Sequence, residues 1–146
     1  MIKLILILSL FLSSLIGFAQ TQEQGFTIKA TLVNALNDKG KVPFALYNSE
    51  VNYLERKPTA TAVEPIKNGV SYVEFNNLKP GTYAIICFHD VNENGKMDFQ
   101  ENGMPLEDYG MTNNITSFGP PQFKEGKFEL TNANLSLEIK FQIKQG

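Results

Sequence analysis

The chain contains no tryptophan, one cysteine and one histidine. Each scarcity removes a class of explanation. Without Trp there is no broad indole platform on which a sugar ring could pack. The single Cys87 cannot close an internal disulfide, so something else must stabilise an exported fold. The single His89 leaves one imidazole for all acid–base chemistry. Basic runs are also absent. Lys and Arg number 13 against 15 Asp and Glu, for a net charge of −2, which argues against nucleic acid and anionic membrane surfaces as partners. Beyond the first twenty residues there is almost no helical periodicity and no apolar stretch of membrane-spanning length.

What is present begins with MIKLILILSLFLSSLIGFAQ. Lys3 supplies a positive start, Leu4 to Leu12 an apolar centre, and Gly17-Phe18-Ala19 a small-x-small cleavage site. Residues 1–19 therefore read as a secretory signal peptide, with the mature chain from Gln20 in the periplasm or outside the cell. No Cys follows the cleavage site, so no lipid anchor is indicated, and no membrane insertion is expected after cleavage. Loss of Lys3 leaves twelve basic and fifteen acidic groups, a net charge of −3. Roughly 127 residues remain (20–146), enough for one domain with one core.

Those residues alternate in short runs separated by turn chemistry, the mark of an all-β chain. Gly25 to Val33 sets Phe26, Ile28, Ala30 and Leu32 against Thr27, Lys29 and Thr31. Further strands are expected over Lys41–Asn48, Thr59–Ile66, Val70–Phe75, Thr82–His89, Lys127–Leu130 and Leu135–Ile143. One helical turn is expected within Glu50–Pro58, and Asn68-Gly69 is a hairpin signal. About seven strands with Gly and Pro turns predict a single β-sandwich of Greek-key type, transthyretin- or immunoglobulin-like. VEFNNLKPGTYAI resembles the strand-turn-strand of transthyretin-like and collagen-binding B-type sandwiches over one hairpin. On the fifth strand Tyr83, Ile85, Cys87 and His89 point one way, and Ala84, Ile86 and Phe88 the other. Both faces are apolar, so this strand is expected to be central and covered on both sides.

Directly after it comes DVNENGKMDFQE. Asp90, Asn92, Asn94, Gly95, Asp98 and Glu101 occupy the spacing D-x-[DN]-x-[DN]-G-x₅-E of an EF-hand calcium loop. Short Asp and Asn side chains on alternate residues of a tight turn can converge on one hard cation. Gly95 permits the turn, the Lys96 carbonyl is available as a ligand, and Glu101 supplies two closing oxygens. The expected metal set is Asp90, Asn92, Asn94, Lys96, Asp98 and Glu101, holding a structural Ca²⁺. The preceding TYAIICFH is a strand and not a helix, so Glu101 is open to replacement by backbone carbonyls, Glu107, Asp108 or water. The competing reading is an Asx-rich turn in which the same side chains bond their own backbone. With three carboxylates the expected affinity is weak, on the order of 10⁻⁴ to 10⁻³ M.

From Asp90 to about Glu125 no strand or helix is expected. The stretch nevertheless carries Met104, Leu106, Tyr109, Met111, Phe118 and Phe123 among fixed bends, so an ordered loop over 90–125, laid on one face of the fifth strand, is predicted.

The runs HDVNENGKMD, GMPLEDYGMTNN and FGPPQF resemble a bacterial family catalogued as domain of unknown function 2141. The matching positions are His89-Asp90, Asn94-Gly95-Lys96, Gly103, Pro105, Glu107, Tyr109-Gly110 and Phe118-Gly119-Pro120-Pro121. The resemblance implies a short exported β-protein and no agreed activity.

Evidence for catalysis is thin. His89 at a strand end is either a base beside a metal or a structural ring bonded to backbone, and no nucleophile stands near it in sequence. Cys87 lies between Ile86 and Phe88, where a thiol is inert. Glu107-Asp108 is a poor glycosidase pair, because adjacent side chains diverge. Asn114-Ile115-Thr116 matches a glycosylation sequon. The expectation is a non-catalytic module binding a protein, glycan or small-molecule ligand. The alternatives are a metal-assisted hydrolase using His89 or Glu107, and a carrier holding a small apolar molecule between sheet and loop.

Overall fold

The computed structural model describes residues 25–116 and 119–142. The expected signal peptide and Phe118 lie outside them. The protein is mostly β, built from two sheets that do not close into a barrel.

Strand β1 (Phe26–Leu32) follows its sequence alternation, with Ile28, Ala30 and Leu32 fully buried. It pairs antiparallel with β4 (Ser71–Leu78) and parallel with β8 (Leu135–Ile139), giving a three-stranded sheet ordered β4-β1-β8. The larger sheet runs β3-β2-β5-β6, from β3 (Ala60–Pro65), β2 (Lys41–Tyr47), β5 (Gly81–Phe88) and β6 (Tyr109–Met111). Val42, Phe44 and Leu46 of β2 and Tyr83, Ile85 and Cys87 of β5 meet the β1, β4 and β8 side chains in one core between the sheets.

Strand β2 keeps one register with β5 but leaves its ladder over two residues, Val42 and Pro43. The ladder runs from Tyr47↔Ala84 to Phe44↔Cys87, then resumes at Lys41↔Asp90. Pro43, which has no N–H, stands between the two stretches. The Lys41–Asp90 pair exchanges both backbone hydrogen bonds, at 3.0 and 2.9 Å. It thereby ties the start of the DVNENG run to the sheet.

Hairpin β3–β4 turns at Asn68 and Gly69, both at positive φ (53° and 75°), as a tight Asn-Gly turn requires. The Asp38 carboxylate accepts the N–H groups of both turn residues at 2.8 Å, and these bonds hold its carboxyl below the usual range. Helix α1 (Glu50–Leu54) forms where one turn was expected, with the Ser49 hydroxyl accepting the Asn52 N–H at 3.2 Å.

Two expectations change. Eight strands form among the described residues, and the 90–125 segment is not free of regular structure. It contains β6, a 3-10 turn (Thr112–Asn114) and the first residues of helix α2 (Phe123–Gly126), after which β7 (Phe128–Leu130) follows. The short β6 escaped notice because its periodicity spans three residues and includes Gly110, which has no side chain. Gly110 is there because a Cβ would lie 2.6 Å from the Lys140 carbonyl oxygen.

Strand β5 is central and covered on both faces. β6 pairs with Ile86–Phe88 and β7 with Gly81–Tyr83 along one edge. The Thr112 hydroxyl bridges the gap between them. It accepts the Ile85 N–H at 3.1 Å and donates to the Gly126 carbonyl. Ala84 and Ile86, facing away from the main core, pack with Tyr47, Met111 and Phe123, flanked by Ala45, Tyr53 and Ile115. The Tyr53 ring meets Tyr47 edge-on at 5.1 Å and its hydroxyl donates to the Pro121 carbonyl at 2.8 Å. Burial pushes the Tyr53 phenol up to about 12.

Candidate functional site

The segment between β5 and β6 begins as a tight polar turn. Asp90 is 2% exposed. Its two carboxylate oxygens accept the N–H groups of Asn94 (3.1 Å) and Gly95 (2.8 Å). Such bonds need the chain to double back within five residues, which positive φ at Glu93 (56°) and Gly95 (73°) achieves. The Asn92 side-chain oxygen accepts the Asn94 N–H at 3.2 Å, and that of Asn94 accepts the Lys96 N–H at 2.9 Å. The Asx-turn bonding of the sequence reading is therefore present.

After the turn the chain forms a small arm. Phe99 bridges Pro105, Leu106 N–H donates to Asp98 O at 2.7 Å, and Gln100 N–H donates to Met104 O at 2.8 Å. This pairing returns the chain to Glu107, which is buried beside Asp98. The Glu107 carboxylate accepts the Asp98 N–H at 3.2 Å. Asp98 in turn receives the amide groups of Asn92 (2.8 Å) and Asn94 (2.9 and 3.0 Å). Burial raises the Glu107 carboxyl above its ordinary range. The Asp98 N–H opposes that shift, and the nearby carboxylates of Asp90 and Asp98 add to it.

The structure therefore brings Asp90, Asn92, Asn94 and Asp98 together and adds Glu107. Glu101 lies exposed in the turn at the arm's tip, and Lys96 is exposed on the loop. The sequence spacing pointed to Glu101 because it assumes a helix after the loop. A hairpin instead delivers the acid that follows Leu106. Among the described residues, no three His, Cys, Asp or Glu side chains stand in metal-holding geometry. The oxygen-only donor set is nonetheless of the kind a hard cation takes.

His89 is 2% exposed. Its ring Nε2 donates to the Lys39 carbonyl at 2.7 Å and its plane stacks on Phe141, 5.9 Å between centroids. Cys87 is fully buried in the main core, and burial pushes its thiol far up. Asn114 of the sequon spends its side chain on backbone, donating to Glu138 O at 3.2 Å and accepting Lys140 N–H at 2.7 Å.

Beside the polar turn is an open cleft of about 320 Å³. Its walls combine Leu36, Val91 and Leu106 with His89, Asp98, Glu107 and Asp108. A family model described as an uncharacterized protein conserved in bacteria, DUF2141, matches residues 31–138. The chain belongs to this family. The match runs from the end of β1 into β8 and takes in the larger sheet, the polar turn and the arm. No curated protein and no solved structure matches the chain. Within this DUF2141 protein, no helix among the described residues is long and apolar enough to cross a membrane.

Proposed function

We propose that the protein is an exported, non-catalytic binding module, a Greek-key sandwich of the transthyretin or immunoglobulin kind, whose polar turn and arm are fixed by one structural Ca²⁺. The observation that carries this reading is the meeting of Asp98 with Glu107 beside Asp90. Three carboxylates crowded against a sheet repel one another, and a divalent cation relieves that repulsion. The amide groups of Asn92 and Asn94 meet the Asp98 carboxylate. Rotating each amide by half a turn presents an oxygen in place of the NH₂, the ligand an incoming cation needs. Glu107 takes the closing role that the spacing assigned to Glu101.

The other readings have less support. A hydrolase built on His89 has only Nδ1 to offer, because Nε2 is held by the Lys39 carbonyl and the residue is 2% exposed. A carrier needs space between the sheet and the covering segment, and Tyr47, Ala84, Met111 and Phe123 fill it.

A calcium titration of the protein followed by calorimetry tests the proposal. A cation bound only to the folded state raises the melting temperature by mass action. Millimolar Ca²⁺ after chelator is expected to raise it by several degrees. An unchanged melting temperature rejects the site.

A further inference from the structure

The cleft beside the polar turn pairs an apolar rim, which a cation does not use, with carboxylates that one cation takes up only in part. Its rim is apolar and exposed, with Leu36 at 65%, Val91 at 46% and Leu106 at 54%. Met104, two residues before Leu106 on the same arm, is 56% exposed. Its floor and wall carry Asp98, Glu107 and Asp108. The charge around it is lopsided. Between Asp90 and Asp108 stand six acids and one base, Lys96, for a local charge of −5. The chain from Gln20 on is at −3, so everything in it outside this segment carries +2.

That distribution selects among occupants. A nucleic acid or an anionic membrane would meet repulsion at its point of contact. A second copy seated by a two-fold axis would set the same acidic arm against itself, and like charges across an interface are costly. A small inorganic cation leaves Leu36, Val91, Met104 and Leu106 uncovered. The remaining class is a polypeptide segment with Lys or Arg between apolar residues. Its methylene stems would lie along the Leu and Val rim while the charged head reaches the carboxylates. A cleft of about 320 Å³ is at the small end of ligand sites, which suits one or two side chains of such a segment.

We propose that this cleft docks a cationic, apolar segment of another protein. The inference rests on the binding-module reading and names the partner's chemistry. With Ca²⁺ in place the arm keeps net negative charge, because one divalent ion offsets two of the five charges.

The test is fluorescence anisotropy with a labelled peptide of repeated Lys-Leu-Ser units, run in chelator and in millimolar Ca²⁺. Binding is expected at low ionic strength and weakens several-fold as salt rises, since exposed charges are screened. Peptides with Glu for Lys, or with Ser for Leu, are expected to lose it. Leu106→Ser weakens binding about tenfold, and Val63→Ser, on the exposed edge of β3, leaves it unchanged. Both positions are exposed, so circular dichroism melts should match the parent protein. Equal binding of the Glu-substituted peptide, or no effect of Leu106→Ser, overturns the docking site. Peptide binding without a calcium-dependent melting shift rejects the cation site alone. A melting shift without peptide binding rejects the docking site alone.

Discussion

The excursion between β5 and β7 consists of two halves held by opposite physics. Its first half, Asp90 to Asp108, is organised by hydrogen bonds to carboxylates and turns its large apolar side chains outward. Phe99, Met104 and Leu106 are each more than half exposed. Its second half, Tyr109 to Gly126, buries Met111 and Phe123 against Ala84 and Ile86 and seals its polar groups through Thr112 and Asn113. The same chain thus supplies a rigid cover for the sheet and, immediately before it, a polar arm that keeps apolar surface in water. Stability is expected to reside in the cover, and recognition in the arm.

The widest gap between the halves should appear with Phe123→Ala. Removing a buried Phe costs about 3 to 5 kcal/mol, read as a lowered urea midpoint that Ca²⁺ does not restore. A loss under about 1 kcal/mol would show the cover is not a core. Next comes Asp90→Ala, which strips acceptors from the Asn94 and Gly95 N–H groups. The expected cost is about 1 to 3 kcal/mol, together with loss of any calcium response. Survival of that response would move the cation elsewhere.

A subtler contrast lies in pH. Burial holds Glu107 above the ordinary carboxyl range. The folded state therefore binds more protons than the unfolded chain between the ordinary Glu value and the raised one. Stability should fall as pH rises through that window and be fully present below it. Denaturation midpoints in chelator between about pH 4 and pH 7 read this slope, and Glu107→Gln should flatten it. Smallest of all is the stability effect of Leu106→Ser, expected within about 0.5 kcal/mol. A larger loss in its melting curve would mean the arm is part of the core after all.

Much of the architecture was legible because alternation is a strong signal where a sheet has one wet face. Ile28, Ala30 and Leu32, then Val42, Phe44 and Leu46, announce their faces directly. The two apolar faces of β5 likewise announced a cover. What escaped was geometry set by distant backbone. Gly110 reads as a bend, yet it lies in a strand because Lys140 passes too close for a Cβ. The cluster at Asp90 was legible up to Asp98, where each side chain bonds within a few residues. Past that point the sequence could not say whether the chain would continue as a helix or return as a hairpin. That choice decides whether Glu101 or Glu107 comes back to the turn. Met104 and Leu106 suggested a buried loop, because composition records apolar content and not which half of a segment hides it.

Asn114 carries one further consequence. Its side-chain amide occupies Glu138 O and Lys140 N along the open side of β8, while Gln142 N–H reaches Tyr109 O at 2.7 Å. The cover that seals β5 also stoppers the edge of the smaller sheet. On the opposite flank β3 and β4, outer strands of the two sheets, are linked through the Asn68-Gly69 turn by the single Lys67–Val70 bridge. Unpaired strand edges invite neighbouring molecules to add strands and grow into aggregates. The one cysteine, Cys87, is free and buried, so no internal disulfide locks the sheets together. Here a pair of amides does the work of a guard strand along β8, next to a chain segment that keeps an apolar arm exposed.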